Sequence, residues 1–231
     1  MMIGSLMEHY FPYASQMGSD FLQATQETVL MTVSAMIIAG IIGLAIGILL
    51  LITGSHGLSP QAAVYWLLDQ IVNIGRSIPF IILLAIIMPF TRLIVGTSIG
   101  TTAVTVPIVV GTIPFFARQV QNALLEVDPG VVEAAQAMGL SNAAIVFRVY
   151  LKEGLVSLVR SVNFTIINLI GLTAMAGAVG GGGLGATALQ EGYQRGRTDV
   201  TFMAMILILV FVFITQVIGN AILKIVAHGR A

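Results

Sequence analysis

The 231-residue sequence contains no cysteine and few charged residues. The absence of cysteine excludes disulfides, thiolate metal ligands and cysteine-based redox or nucleophilic chemistry. Charged residues make up only 9% of the chain, against roughly 25% in ordinary soluble domains, which is too few to cover a water-exposed surface. Ten basic and ten acidic residues cancel, so no electrostatic argument favours a nucleic-acid partner.

Side chains that support catalysis, metal binding or proton coupling are also scarce. His9, His56 and His228 are far apart and show no ligand spacing, so we expect no metal site. No serine, histidine and aspartate set indicates hydrolysis, which disfavours a membrane-bound enzyme. Ion-coupled transporters and channels typically keep acidic residues within their spans. Here every acidic residue, including Asp69, lies outside the apolar cores, which disfavours that second class as well.

Hydrophobic residues make up 57% of the chain and are concentrated in long runs. A helix needs about 20 apolar residues to cross the hydrocarbon core of a bilayer. The runs predict an all-α integral membrane protein whose five spans cover residues 29–52, 66–92, 103–117 extending toward 125, 155–179 and 202–226. They form one transmembrane domain over residues 28–227, between an N-terminal segment of residues 1–27 and a tail of residues 228–231.

The distribution of lysine and arginine predicts the orientation, because short cytoplasmic loops carry an excess of these residues. With the N-terminus outside, seven basic residues are cytoplasmic (Arg76, Arg118, Arg148, Lys152, Arg160, Lys224 and Arg230) and three are external (Arg92, Arg195 and Arg197). Five spans then place the C-terminus in the cytoplasm. No basic residue precedes Arg76, so the N-terminus lacks the basic region of a secretory signal and we expect it to be retained. Residues 1–27 are predicted to form an aromatic interfacial anchor or a frayed polar tail.

Four of the seven prolines lie in the second and third spans, at Pro79, Pro89, Pro107 and Pro114. A proline removes one backbone donor and kinks its helix, so neighbouring groups or water in a cavity must satisfy the freed carbonyl. Two interpretations remain open: these helices line a path, or the kinks are fixed features of helix packing.

The stretch GAVGGGGLG at residues 177–185 contains G-x-G-x-x-G, the pattern of a dinucleotide-binding loop. Such a loop needs a buried strand before it, a helix after it and an acidic residue further on. Here a membrane helix precedes the glycines and a polar loop is expected to follow. The glycines are therefore predicted to permit positive φ and close approach where the helix ends at the outer face. The alternatives are a re-entrant segment at a gate and a plain flexible loop.

The segment between the third and fourth spans predicts a helical hairpin on the cytoplasmic face. Asp128 is a good N-cap and Pro129 suits the first helical position. Gly139 fits the left-handed position that ends a helix, and Ser141 can cap the next one. Val131, Ala135 and Met138 recur at helical spacing and predict an apolar stripe. In a protein with little other cytoplasmic mass, such a hairpin favours docking to a partner.

The E-A-A of this hairpin, followed by its glycine, resembles the signature loop of ABC importer permeases. The matching positions are Glu133, Ala134, Ala135 and Gly139. Lys152 stands where the family usually has a proline. Four further stretches, at residues 73–84, 87–100, 117–127 and 174–185, resemble the D/L-methionine uptake branch of these permeases, and the similarity extends over roughly residues 64–193.

The resemblance implies the type I importer permease fold, with five transmembrane helices and a coupling-helix hairpin at about residues 127–152. It implies a homodimer in a bacterial inner membrane, two ATP-binding cassette ATPases below it and an extracytoplasmic methionine-binding lipoprotein above it. ATP and Mg²⁺ then bind the ATPases, and this chain binds no cofactor and is not an enzyme. In that family the short helix enters a cleft of the ATPase, which makes the four matching residues docking candidates. Arg148 either pairs with an acidic group of that partner or is simply solvated.

The fourth span carries the candidates for the translocation path. Ser161, Phe164, Asn168, Gly171 and Met175 follow the spacing of one helix face. If this face lines the path, Asn168 can hydrogen-bond a zwitterion, and Met175 can contact a thioether or form a hydrophobic gate. The alternative is ordinary packing, with Asn168 bonded to a neighbouring helix. Nothing in the residue spacing selects methionine over another small amino acid, so the substrate follows from the resemblance alone.

Overall fold

A computed structural model describes residues 10–228, and every regular element in that range is helical, as predicted. A 3-10 turn at Ala14–Gln16 precedes the α-helices. Two π-helical turns, Val146–Tyr150 and Thr187–Tyr193, continue α6 and α9. The α-helices are α1 (Gly18–Thr53), α2 (Ala62–Ser77), α3 (Phe80–Val95), α4 (Thr101–Leu125), α5 (Pro129–Ala137), α6 (Asn142–Ile145), α7 (Leu151–Glu153), α8 (Leu155–Gly177), α9 (Gly183–Ala186) and α10 (Thr198–His228).

Four helices of the described chain, α1, α4, α8 and α10, are long and apolar enough to cross a membrane. Helices α2 and α3 pass the same test together but are bent by 109°, so the count is five if this pair is one span. The prediction of a single helix from Trp66 to Arg92 was therefore wrong. The cause is Pro79, which disfavours helical backbone at the residue before it. Ile78 accordingly has ψ 120°.

Residues 10–36, 80–109 and 167–214 form one compact unit. Helix α1 begins at Gly18, earlier than the predicted span, because Phe21 and Ala24 join an apolar cluster with Leu184. The backbone N–H groups of Tyr13 and Ala14 donate to a carboxylate oxygen of Asp199 at 2.8 and 2.9 Å. A frayed tail is thus wrong for residues 10–27, and residues 1–9 lie outside the described range.

The glycine run in this unit turns the chain back onto the end of α8. Gly180, Gly182 and Gly183 have φ of +85°, +75° and +71°, which confirms the predicted need for positive φ. The following residues are helical as far as Tyr193, so the expected polar loop was wrong. The glycines allow this fold because a Cβ on Gly185 would lie 2.3 Å from the carbonyl oxygen of Ala174.

Residues 37–79, 110–166 and 215–228 form a second compact unit, which contains the predicted hairpin. Helices α1 and α4 approach closely there, because a Cβ on Gly47 would lie 2.6 Å from the carbonyl oxygen of Ala117. Leu50 and Val72 pack with Ala117 in a buried cluster. The hairpin therefore extends from a closely packed group of helices.

Candidate functional site

The first helix of the hairpin, α5, begins as the sequence predicts. Oδ1 of Asp128 accepts a hydrogen bond from the N–H of Gly130 at 2.7 Å, and Pro129 occupies the first turn. Glu133 and Ala134 are exposed, whereas Ala135 is buried. The cap fixes where the helix starts, and this start determines which side of the helix carries the Glu133 carboxylate.

The turn between α5 and α6 depends on Gly139. Its φ is +78°, and its N–H donates to the carbonyl of Gln136 at 2.9 Å. The N–H of Leu140 donates to the carbonyl of Ala135 at 3.2 Å. Ser141 then caps α6 by accepting a hydrogen bond from the N–H of Ala144 at 3.3 Å. The predicted helix, glycine turn and second helix are confirmed, and the second helix widens into the π-helical turn Val146–Tyr150.

Of the apolar stripe predicted on α5, only Ala135 is buried. Val132 and Ala135 are the buried residues of α5, which packs against the π-helical turn. Val131 and Met138 are 45% and 73% exposed. Phe147, which the sequence analysis missed, is 69% exposed on the second arm of the hairpin. Phe147 stands among other apolar residues, Val146 and Val149, so the sequence carries no signal that would single it out.

Three exposed apolar side chains, Val131, Met138 and Phe147, thus lie on a hairpin that also exposes Glu133 and Arg148. We call these five residues the hairpin surface. Exposed apolar groups rimmed by charged ones mark surfaces that a partner covers.

A cavity of about 420 Å³ lies beside the hairpin, and Glu133, Gln136, His56 and Tyr150 are among its lining residues. The loop between α1 and α2 forms its other wall and is tied to the hairpin, because Nδ2 of Asn142 donates to the carbonyl of Leu58 at 3.2 Å. Burial raises the pKa of Tyr150 above its ordinary value. Glu133 therefore borders a cleft of mixed polar and apolar lining as well as the open surface.

The hairpin is held firmly at its base. A Cβ on Gly154 would lie 2.8 Å from Cδ2 of Leu124, so the return to α8 passes directly against α4. The hydroxyl of Ser157 donates to the carboxylate of Glu126, which links the first turn of α8 to the chain just before the hairpin. The base of the hairpin is therefore joined to both α4 and α8.

A partly buried polar network links α2 to α4 in the same unit. Nη2 of Arg118 lies 2.5 Å from Oδ1 of Asp69 and donates to Oδ1 of Asn73 at 3.0 Å. Nη1 donates to Oε1 of Gln121 at 2.6 Å. Asp69 is recognisable in the sequence as an acidic residue near a span, but its partner Arg118 is 49 positions away and no sequence pattern indicates the pair.

The predicted path face on α8 is largely uncovered. Phe164 and Met175 are 56% and 45% exposed, Gly171 is exposed, and a Cβ on Gly171 would meet open space. Asn168 is half-buried, and its side chain makes no hydrogen bond within residues 10–228. Ser161 differs from the others because it is buried and donates to the carbonyl of Ser157 at 3.0 Å. Packing within this chain thus leaves Asn168, Gly171 and Met175 accessible.

Among the described residues, no group of His, Cys, Asp or Glu side chains could hold a metal ion.

Comparison with known proteins places these features in a family. Residues 43–229 match the family model described as binding-protein-dependent transport system inner membrane component. The probable D-methionine transport system permease protein MetI of Haemophilus influenzae is 44% identical over 205 residues, which are 89% of this chain and 96% of the relative. The methionine import system permease protein MetP of Bacillus subtilis is 43% identical over 221 residues, or 96% and 99% of the two chains. A solved structure of the MetNI methionine ABC transporter in inward-facing conformations aligns with a TM-score of 0.90 at 43% identity, covering 91% of this chain and 98% of that one.

Proposed function

Because this chain belongs to the family of binding-protein-dependent transport system inner membrane components, we propose that it is the transmembrane permease subunit of an ATP-driven methionine importer. Similarity to methionine permeases over nearly the whole chain supports this substrate. The sequence carries no motif of its own for binding or hydrolysing ATP. ATP and Mg²⁺ therefore bind a separate ATPase, and this chain converts the movements of that partner into transport.

The hairpin surface is the observation that carries the proposal. Its exposed Val131, Met138 and Phe147 supply apolar contact area, and Glu133 supplies a charge at the entrance of the adjoining cleft. This combination suits the cleft of a protein partner better than water or lipid. Ala134 next to Glu133 lets the partner approach the helix backbone closely, and Gly139 sets the angle of the second arm.

The proposed mechanism is conformational coupling. Two ATPase subunits close on ATP and draw the hairpins of two permease copies together. The hairpin base transmits this movement to α4 and α8 through the contacts of Gly154 and Ser157. The helices then switch between two packed arrangements, which expose the path to opposite sides of the membrane in turn.

The path is proposed to lie between two copies of this chain, along the face of α8 that bears Asn168, Gly171 and Met175. Asn168 offers an amide to the charged ends of an amino acid, and Met175 offers a polarisable apolar contact. The exposure of Gly171 and Met175 supports this assignment.

The proposed location is the bacterial inner membrane, with the N-terminus outside and the C-terminus in the cytoplasm. Seven cytoplasmic against three external basic residues support this orientation. An extracytoplasmic lipoprotein then delivers methionine to the outer face.

The test is ATP-dependent uptake of radiolabelled methionine into liposomes that contain this chain, its cognate ATPase and its binding protein. We expect Glu133→Lys to abolish both uptake and co-purification of the ATPase, because it reverses a charge on the docking surface. The substitution should leave folding intact, since Glu133 is exposed. Gln61→Lys is the control, because it also introduces a lysine, at an exposed residue outside the hairpin.

Each alternative outcome contradicts a different part of the proposal. Intact ATPase binding without methionine uptake, but with uptake of another amino acid, would reject the substrate. Methionine uptake without any ATPase would reject the mechanism. Normal ATPase binding by Glu133→Lys would reject Glu133 as a docking residue.

A further inference from the structure

The glycine turn, residues 180–183, has no side chains with which to pack. Glycine can adopt the backbone conformation of this turn, but it does not prefer it, because glycine adopts many other backbone conformations equally well. Gly182 occupies the N-cap position of α9 and makes no side-chain cap. The first N–H groups of α9 therefore need acceptors from elsewhere in the chain.

Two successive residues of α1 provide these acceptors. The N–H of Gly183 donates to Oε2 of Glu27 at 2.7 Å, and the N–H of Leu184 donates to Oγ1 of Thr28 at 2.9 Å. Both side chains are held in place from within α1. Nε2 of Gln23 donates to Oε1 of Glu27 at 3.0 Å, and the Thr28 hydroxyl donates to the carbonyl of Ala24 at 2.9 Å. Helix α1 thus caps α9 from the side.

The turn lies directly against these two side chains. A Cβ on Gly182 would lie 2.7 Å from Oε2 of Glu27, and a Cβ on Gly183 would lie 2.7 Å from Oγ1 of Thr28. Thr28 is 2% exposed, so no water competes for its hydroxyl. The two hydrogen bonds therefore determine where the turn lies relative to α1.

The same turn is closely joined to the end of α8. The N–H of Gly181 donates to the carbonyl of Ala176 at 3.1 Å. A Cβ on Gly177 would lie 2.2 Å from the backbone nitrogen of Ala186, so α9 and the end of α8 touch through their backbones. Met175 is in the last turn of α8, and its position therefore follows that of the glycine turn.

We propose that Glu27 and Thr28 are positioning residues that pin the glycine turn to α1 and thereby hold Met175 where it closes the outer end of the path. The inference rests on the proposed function in one respect, the assignment of Met175 to the path. Opening to the outside requires the two hydrogen bonds to break. The resemblance to a transporter in inward-facing conformations agrees with a closed outer end in the present structure.

The absence of cysteine allows a direct test, because a cysteine introduced by Met175→Cys is the only thiol of the chain. Right-side-out vesicles containing this chain and its ATPase, without nucleotide, are treated with a membrane-impermeant maleimide, and the labelling rate of the chain is measured. Loss of one hydrogen bond shifts an opening equilibrium by roughly fivefold. We expect Thr28→Val and Glu27→Met each to raise the labelling rate by roughly that factor.

Conservative variants separate a positioning role from a general loosening of the fold. Thr28→Ser and Glu27→Gln keep an acceptor oxygen and should label at the rate of the Met175→Cys parent. Tyr193→Cys, at a residue 76% exposed, should label equally fast with or without Thr28→Val. Co-purification of the ATPase verifies that each variant is folded.

The proposal is overturned if Thr28→Val and Glu27→Met both label at the parental rate, or if Thr28→Ser labels as fast as Thr28→Val. Failure of the proposed function has a different signature, namely no ATP-dependent methionine uptake by the unmodified complex. If Tyr193→Cys is inaccessible from outside, the orientation is wrong, and the same comparison in inside-out vesicles then decides the role of Glu27 and Thr28.

Discussion

Arg118 joins α2 to α4 through its contacts with Asp69 and Asn73. Its side chain is 16% exposed and that of Asp69 is 21% exposed, so most of both charges lies away from water. Removal of one member of such a pair leaves the other uncompensated, whereas removal of both does not. The network therefore contributes more to specifying how α2 packs on α4 than to net stability.

We predict that Arg118→Leu lowers stability by on the order of 3 kcal/mol, and that Asp69→Leu/Arg118→Leu is more stable than this single variant. The physical reason is that the double variant no longer leaves a carboxylate without its cation. Apparent melting temperatures of the purified protein in detergent, arranged as a double-mutant cycle, provide the measurement. Arg195→Leu is the control and should change little, because its pair with Glu191 is an exposed i,i+4 contact. Additive losses from the two leucine substitutions would refute the coupling.

At the scale of elements, the backbone geometry of the hairpin turn predicts how substitution of Gly139 affects docking of the ATPase. Its φ of +78° is strained for a residue with a Cβ, although a Cβ there would meet open space. Substitution of Gly139 therefore lowers stability only through backbone strain, by about 1–2 kcal/mol for alanine. We expect ATPase co-purification to decline in the order Gly139, Gly139→Asn, Gly139→Ala, Gly139→Val, since asparagine tolerates this conformation best. Gly18→Ala, at an unstrained glycine outside the hairpin, should behave as the parent. Equal binding by all four would show that the turn does not set the docking angle.

The elements that could be predicted are those specified by nearby residues. Asp128, Pro129, Gly139 and Ser141 predicted the hairpin correctly because capping and left-handed turns depend on a few neighbouring positions. The break at Ile78 was missed because a proline in a membrane helix can kink the helix or end it, and the packing of the whole chain decides between the two.

Burial on the hairpin could not be predicted for a different reason. Periodicity predicted a helix correctly but does not identify the face that meets the rest of the protein. The structure buries Val132 and exposes Met138. The contacts of Glu27, Thr28 and Arg118 join residues far apart in sequence, and a single sequence contains no signal for such pairs.

At the scale of the whole molecule, the uncovered face of α8 indicates what lies against it. Ile41 on α1 is 69% exposed within an entirely apolar run, which suits contact with lipid. The α8 face instead exposes Gly171 and carries Asn168, whose amide makes no hydrogen bond within residues 10–228. An amide without a partner is costly in hydrocarbon. A second copy of the chain, or water in a path between two copies, accounts for this face better than lipid does.

We therefore predict that Met175→Cys forms disulfide-linked dimers under mild oxidation in membranes, because a residue near a two-fold axis meets its own copy. Ile41→Cys, at a residue that is even more accessible in the single chain but lies on an apolar face, should stay monomeric on a non-reducing gel. Both variants have one thiol in an otherwise cysteine-free chain, so every crosslink is between copies. If Ile41→Cys formed crosslinked dimers and Met175→Cys did not, the interface between the two copies would lie at α1. The path would then no longer be assigned to the face of α8.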